Sequence, residues 1–356
     1  MSVKKKYLMV FILLAVVFIG GLYNFKENQK NSKVKTVTKV KIGLCMDSLI
    51  IERWQIDRDV FMAKAKELGA DVIVQNAGSD SNEQINQIKY LIGQGVNVLV
   101  IVPNDSDALA SVVSQAKKKG IKVISYDRII RKGNVDLYIT FDNERVGELM
   151  GEAIVKKVPK GNYIIINGNK QDFNALEFNK GYMKALNPSI KANNIKIVSE
   201  VWSKNWNEDE AIKCVEETIS KNVKIDAVVA ANDTLAQAVI EVLAEHRLAS
   251  KVAVVGGDAD LSACQRVVEG LQLMTVYKPI VTMAQDAAEA AVKMGKGEKI
   301  KGNVQINDGL VNVPVLREYS TEVTKANMVD IVVKSNFHRI EDIYRNIPLT
   351  DWPKEK

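Results

Sequence analysis

The sequence predicts an α/β protein of two doubly wound parallel-sheet lobes, joined by a hinge, with a ligand cleft between them. Three observations predict this. Short runs that are apolar at nearly every position alternate with longer helical stretches; several of those stretches close on a glycine (Gly69, Gly93, Gly120); and the alternation occurs as two similar sets within 356 residues. Strands apolar throughout are buried on both faces, which requires helices above and below the sheet. At about 100–200 residues per domain the length accommodates two lobes plus extensions.

In the first set, the strand VKIGLCM (40–46) precedes a helix over 54–68, DVIVQNA (71–77) precedes a helix over 83–93, and NVLVIVP (97–103) precedes a helix over 107–119, with KVISYD (122–127) continuing the series. Ser81 and Gln84 have the spacing of a capping box for the second helix. The second set begins after Phe141, with helices over 143–157, 175–186, 208–220 and 234–246. They alternate with the strands NYIIING (162–168), IKIVSEV (195–201), DAVVAAN (226–232) and VAVVGGD (252–258).

Composition excludes several classes. Apolar residues at 47% with aromatics at only 6% suit buried strands and amphipathic helices rather than a disordered chain. The formal charge of +6 is concentrated at the amino terminus: residues 1–41 hold nine lysines against Glu27 alone, so the chain from Ile42 onward carries −2. No excess positive charge is left for a phosphate backbone, and nucleic acid is not expected as a partner. Cys45, Cys214 and Cys264 lie in apolar stretches without metal or redox spacing and read as buried thiols; a Cys214–Cys264 bridge depends on proximity that sequence does not give. With His246 and His338 the only histidines, neither a metal site nor a cofactor is expected.

Lys4, Lys5 and Lys6 precede an uncharged run from Tyr7 to Tyr23. The run approaches the length of a spanning helix, about 17–25 residues, and the lysines keep its start on the cytoplasmic side. No A-x-A-like cleavage site follows, and the first cysteine, Cys45, falls in the first strand, so residues 1–25 read as an uncleaved anchor or signal. Residues 26–39, rich in Lys, Asn, Ser and Thr, form a tether. The expected location is the outer face of the cytoplasmic membrane.

Ligands of open parallel sheets sit beyond the carboxyl ends of the strands. Polar residues gather there in both sets: Asp127–Arg128, Asn167 to Asn174, Asn232–Asp233 and Asp258. Any one of these suits a turn or a helix cap, but their recurrence in both lobes points to a cleft. No nucleophile-elbow, zinc-protease, Walker or dinucleotide motif stands in a working context, and GDADL (257–261) lacks the spaced ligands of a calcium loop. Acids and amides without a nucleophile–histidine pair suit hydrogen bonding to hydroxyls, and the chain is not expected to be an enzyme.

The segments IERWQIDRD (51–59), VISYDR (123–128), FDNERVGEL (141–149), DAVVAANDT (226–234), GGDADL (256–261) and MTVYKPI (274–280) resemble those of the bacterial periplasmic D-xylose-binding proteins, within the ribose and galactose type of bipartite sugar-binding proteins. A repressor sharing this core would carry a helix-turn-helix where this chain has its apolar run. The resemblance implies a periplasmic binding protein type I fold closing on a pyranose. It maps sugar contacts onto Arg53, Asp127, Arg128, Asp172, Asn174, Trp206, Asn232, Asp258 and Lys278. The chemistry agrees: carboxylates accept from sugar hydroxyls, Arg and Lys donate, and amides do both. Trp54, beside Arg53, is added from its position as the aromatic opposite Trp206, flanking the apolar sugar face; helix packing is its other reading.

On this basis residues 40–140 with about 279–305 are assigned to the amino-terminal lobe, 141–278 to the carboxy-terminal lobe, and 306–356 to an extension packing on the lobes. The expected function is binding of D-xylose or a similar aldopentose for delivery to an ABC permease. The alternative is a co-receptor that presents the sugar-bound form to a membrane sensor kinase of a two-component system.

Overall fold

The computed structural model describes residues 39–353; the apolar run 7–23 and almost all of the tether lie outside the described residues. Among the described residues no helix is long and apolar enough to cross a membrane.

The first lobe is built on β1 (Lys41–Met46), β2 (Asp71–Asn76), β3 (Val98–Ile101), β4 (Lys122–Tyr126) and β5 (Leu137–Phe141). Between them run α1 (Glu52–Glu67), α2 (Ser81–Gly93) and α3 (Ala110–Lys118). The second lobe opens with α4 (Asn143–Lys157) and places β6 (Gly161–Asn167), β7 (Ile195–Trp202), β8 (Ala227–Ala230) and β9 (Ala253–Val255) in its sheet. The intervening helices are α5 (Phe173–Lys191), α6 (Asp209–Ser220) and α7 (Asp233–Glu245). Then come α8 (Leu261–Glu269), β10 (Thr275–Tyr277), α9 (Ile280–Gly295), β11 (Val304–Asn307), β12 (Asn312–Glu318) and β13 (Thr321–Val323).

The first sheet has the order β11-β12-β5-β4-β3-β1-β2, parallel except where β11 pairs with β12. The second has the order β7-β6-β8-β9, parallel throughout. Order reverses at β1/β3 and at β6/β8, the switch points where crevices open beyond the strand ends. Strands β1, β3 and β4 are buried along nearly their full length. Helix α9 covers one face of the first sheet, where Ile280, Met283, Ala284 and Ala287 join Ile42, Leu44, Val98, Val100 and Ile124 in one core. The chain passes between the lobes after β5, after β10 and between β12 and β13, and β13 pairs with β10. Three crossings join the lobes, and connecting segments of this kind are where hinge bending is absorbed.

Four details depart from the sequence expectations. The cap of α2 is Asp80, whose carboxylate accepts from the amides of Asn82 and Glu83, not Ser81. Gln84 instead turns inward, donating to the Val102 carbonyl at 2.7 Å and accepting from the Asn104 amide at 2.9 Å, because a buried β3 end needs its polar groups paired more than the exposed helix end does. Helix α3 starts at Ala110 rather than 107, leaving a loop that reaches the second lobe. Strand β5, not foreseen, extends the first sheet. The three cysteines are free and buried.

Candidate functional site

A pocket lies where the strand ends of the two lobes face each other. All ten side chains singled out from the sequence line it: Arg53, Trp54, Asp127, Arg128, Asp172, Asn174, Trp206, Asn232, Asp258 and Lys278. Ile51 and Phe178 complete the lining.

The backbone aims several of these residues by unusual means. Asp127, Trp206 and Asp258 have φ of 62°, 61° and 108°, in the left-handed region that costs a non-glycine residue about 1–3 kcal/mol and that clusters at ligand sites. At Asp127, which follows β4, the conformation is held by its amide donating to the Ile139 carbonyl. The hydroxyls of Tyr138 and Thr140 donate to its own carbonyl. Trp206 needs Gly168 beneath it, since a Cβ there would lie 2.2 Å from the ring.

Two arginines organise the first-lobe wall. Arg53 Nη2 donates to Asp127 at 2.7 Å and Nε to Asp57 at 3.4 Å, while Nη1 stands 3.8 Å from Asp258 across the cleft. Arg128 Nη1 donates to Asp47 at 2.7 Å and to the Pro103 carbonyl, and its Nε meets Asp172 of the second lobe at 2.7 Å. Arg128 therefore pairs with Asp47 and Asp172 and not with its neighbour Asp127. Burial works against the Arg53 charge, but Asp127, Asp57 and Asp258 outweigh it and hold its pKa above that of a free guanidinium. Burial pushes Asp57 and Asp172 up to about 6, with Arg53 and Arg128 respectively limiting the rise. Both guanidinium groups also lie against Trp54, 4.3 and 5.3 Å from its ring centroid.

The second-lobe wall combines helix caps and aromatic rings with one ion pair. Asp172 caps α5 and Asn232 caps α7, their side-chain oxygens accepting from the amides of Asn174 and Leu235. Cap and pocket residue coincide because both helices begin where their strands end, and the Asn232 oxygen is committed to its cap. Asn174 donates to Asp127 and accepts from Asn143. Trp206 packs edge-on against Phe178 at 6.4 Å and donates to Asp172. Lys278 pairs with Asp258 at 2.8 Å and sits over Phe178.

The lobes also meet outside the pocket. The Ser106 amide donates to the Gln171 carbonyl, the Phe173 amide donates to the Ser106 hydroxyl, and Arg131 lies 5.8 Å from the Phe173 ring centroid. With Arg128–Asp172, these contacts describe a closed cleft.

Sequence reasoning missed Asp47, Asp57 and Phe178. Asp57 sits four residues from Arg53 on α1, a spacing that pairs side chains on one helix face. Phe178 is one apolar residue among several on α5, with nothing local to mark it out.

The model for the periplasmic binding protein domain matches residues 42–299. The chain is 46% identical over 330 residues, 92% of its length and 98% of the other's, to the D-xylose-binding periplasmic protein of Haemophilus influenzae. It is 45% identical to the D-xylose-binding periplasmic protein of Escherichia coli over 306 residues, 86% of this chain and 93% of that one. A solute-binding protein of an ABC transporter from Clostridium phytofermentans, solved with β-D-glucose, superposes with a TM-score of 0.79 at 28% identity, covering 85% of this chain and 99% of that one.

Proposed function

The chain belongs to the periplasmic binding protein family, and from that premise we propose that it is an extracytoplasmic receptor for D-xylose or a similar aldopentose, serving uptake through an ABC permease. Its relatives are binding proteins, and the pocket has the equipment of one. The observation that carries the sugar reading is a set of unspent polar groups facing a compact, closed space. Among the described residues Arg128 Nη2 holds no hydrogen bond, Arg53 Nη1 has only its 3.8 Å ion-pair contact with Asp258, and Lys278 has donors beyond the one given to Asp258. The Trp54 ring nitrogen, also buried, has no acceptor among the described residues. Charged donors fixed by their own carboxylates can meet hydroxyl oxygens without reorganising, while Trp206 and Phe178 offer apolar surface to the C–H face. The ten residues placed in the pocket are proposed as the sugar contacts.

Titration calorimetry of residues 40–356 against a sugar panel tests this. Saturable heat with D-xylose, and no turnover of the sugar, is expected; no heat with any monosaccharide overturns the reading. We place the receptor at the outer face of the cytoplasmic membrane through residues 1–25. Mass spectrometry of the native amino terminus checks that placement: a start at Met1 or Ser2 supports it, and a start near Leu22 or later contradicts it. The sensing alternative rests on that same segment, outside the described residues.

A further inference from the structure

We infer that Phe337 and His338, in the carboxy-terminal segment, are positioning residues for the Asp258–Lys278 pair of the pocket. The inference rests on the sugar-binding reading above and adds a part of the chain that does not line the site.

Asp258 and Ala259 carry consecutive positive φ values, 108° and 56°, and neither is a glycine. Such a turn persists only where its surroundings over-determine it. One side is fixed from within the lobe, where the Asp258 amide donates to the Val276 carbonyl and the Ala259 amide donates to Thr275 Oγ1. The other side is fixed from outside the sheet: His338 Nε2 lies 2.8 Å from the Ala259 carbonyl, and since a carbonyl only accepts, that nitrogen carries the proton. The preceding residue, Phe337, packs edge-on against Tyr277 with centroids 5.1 Å apart. Ala259 follows Asp258 and Tyr277 precedes Lys278. Two consecutive residues thus brace the backbone neighbours of both members of an ion pair 2.8 Å long. Met328, Val332, Ile343 and Tyr344, packed against Val267 and Val268 of α8, seat the segment that carries them. Phe337 touches the first-lobe core as well, so the brace sits at the crossing between lobes.

The test uses the full chain with His338→Ala, His338→Gln and Asp258→Ala, singly and combined, and D-xylose calorimetry. His338→Ala is expected to weaken binding about three- to tenfold, the scale of one hydrogen bond, and His338→Gln, which restores a donor, to recover most of it. In the Asp258→Ala background the same change should cost nothing further. An equal loss in both backgrounds, or no loss, overturns the inference. Should His338→Ala not fold, Phe337→Leu carries the same expectation. A crystal structure of the folded variant reads the inference without sugar: the Lys278–Asp258 contact should open beyond 3.5 Å, and an unmoved pair overturns it. If the wild type binds no sugar, the proposed function alone falls and that distance still decides the role of the brace.

Discussion

The two walls of the pocket are made differently. In the first lobe, Arg53 and Arg128 are buried cations whose positions are set by Asp57, Asp127 and Asp47 before anything enters. In the second lobe, Asp172 and Asn232 are fixed by the helices they cap, and Trp206 by ring packing over Gly168. The difference teaches where each wall is vulnerable. A charged wall depends on every member of its network, since removing one leaves a buried charge uncompensated. A wall of caps and rings fails in proportion to the surface it loses.

The largest expected effect is Arg128→Ala. It strips Asp47 and Asp172 of their cation together, and breaking a buried pair costs about 3–5 kcal/mol. Urea unfolding should register that loss and calorimetry should register no sugar binding. A cost below about 1 kcal/mol, the worth of an exposed pair, would erase the contrast between the walls. Next comes Gly168→Ala, whose new methyl displaces the Trp206 ring. Sugar affinity should fall by about 1.5–3 kcal/mol, the worth of one large apolar side chain, and wild-type affinity would place Trp206 outside the contact surface.

A third test reaches behind the second wall. Burial raises Asp233 to about 7 from an ordinary 3.8, although Thr275 and Gln272 donate to it. Between those values the folded form holds a proton the unfolded chain has released, so this group favours folding at the acid end and the contribution is lost as pH rises through 7. In Asp233→Asn that dependence is absent. The gap in unfolding midpoint between variant and wild type should therefore move in the variant's favour from pH 5 to pH 8, and a gap constant with pH would refute it. The smallest effect is Arg131→Ala, which removes the contact with Phe173 at the rim. A half-exposed cation–π pair is worth about 0.5–1 kcal/mol, so affinity should drop only a few-fold, through the closed state alone.

How much of this was legible in the sequence follows from range. The alternation of strand and helix is a local pattern, and the elements from β1 to β9 other than β5 lie within a few residues of where that pattern sets them. Strand ends carry polar side chains for local reasons, and that pattern singles out Asp127, Arg128, Asn232 and Asp258; the set of nine pocket residues comes from the resemblance to the D-xylose-binding proteins, and Trp54 from its place beside Arg53. Pairing partners are another matter. That Arg128 meets Asp47 and Asp172, and that Gln84 bonds to the end of β3 instead of capping α2, depends on contacts between distant segments that no window of sequence contains. Strands β11 and β13, of four and three residues and only partly buried, are too short to leave much periodicity to read.

The three crossings also set an order of assembly as the chain leaves the ribosome. The elements α4 to β10 are contiguous, so the sheet of the second lobe and its helices are available together. The first sheet has β1 to β5 early but must wait some 140 residues, from Phe141 to Ile280, for the helix that completes the cover of one face. Until then Ile42, Leu44, Val98, Val100 and Ile124 share their face with Trp54, Phe61 and Ala65 of α1 but lack α9, and the apolar surface left open is a site for holding factors or for misassociation. Closing a loop of that length costs only slightly more than closing a short one, about 0.6 kcal/mol per doubling, so the burden of the discontinuous lobe is time rather than stability.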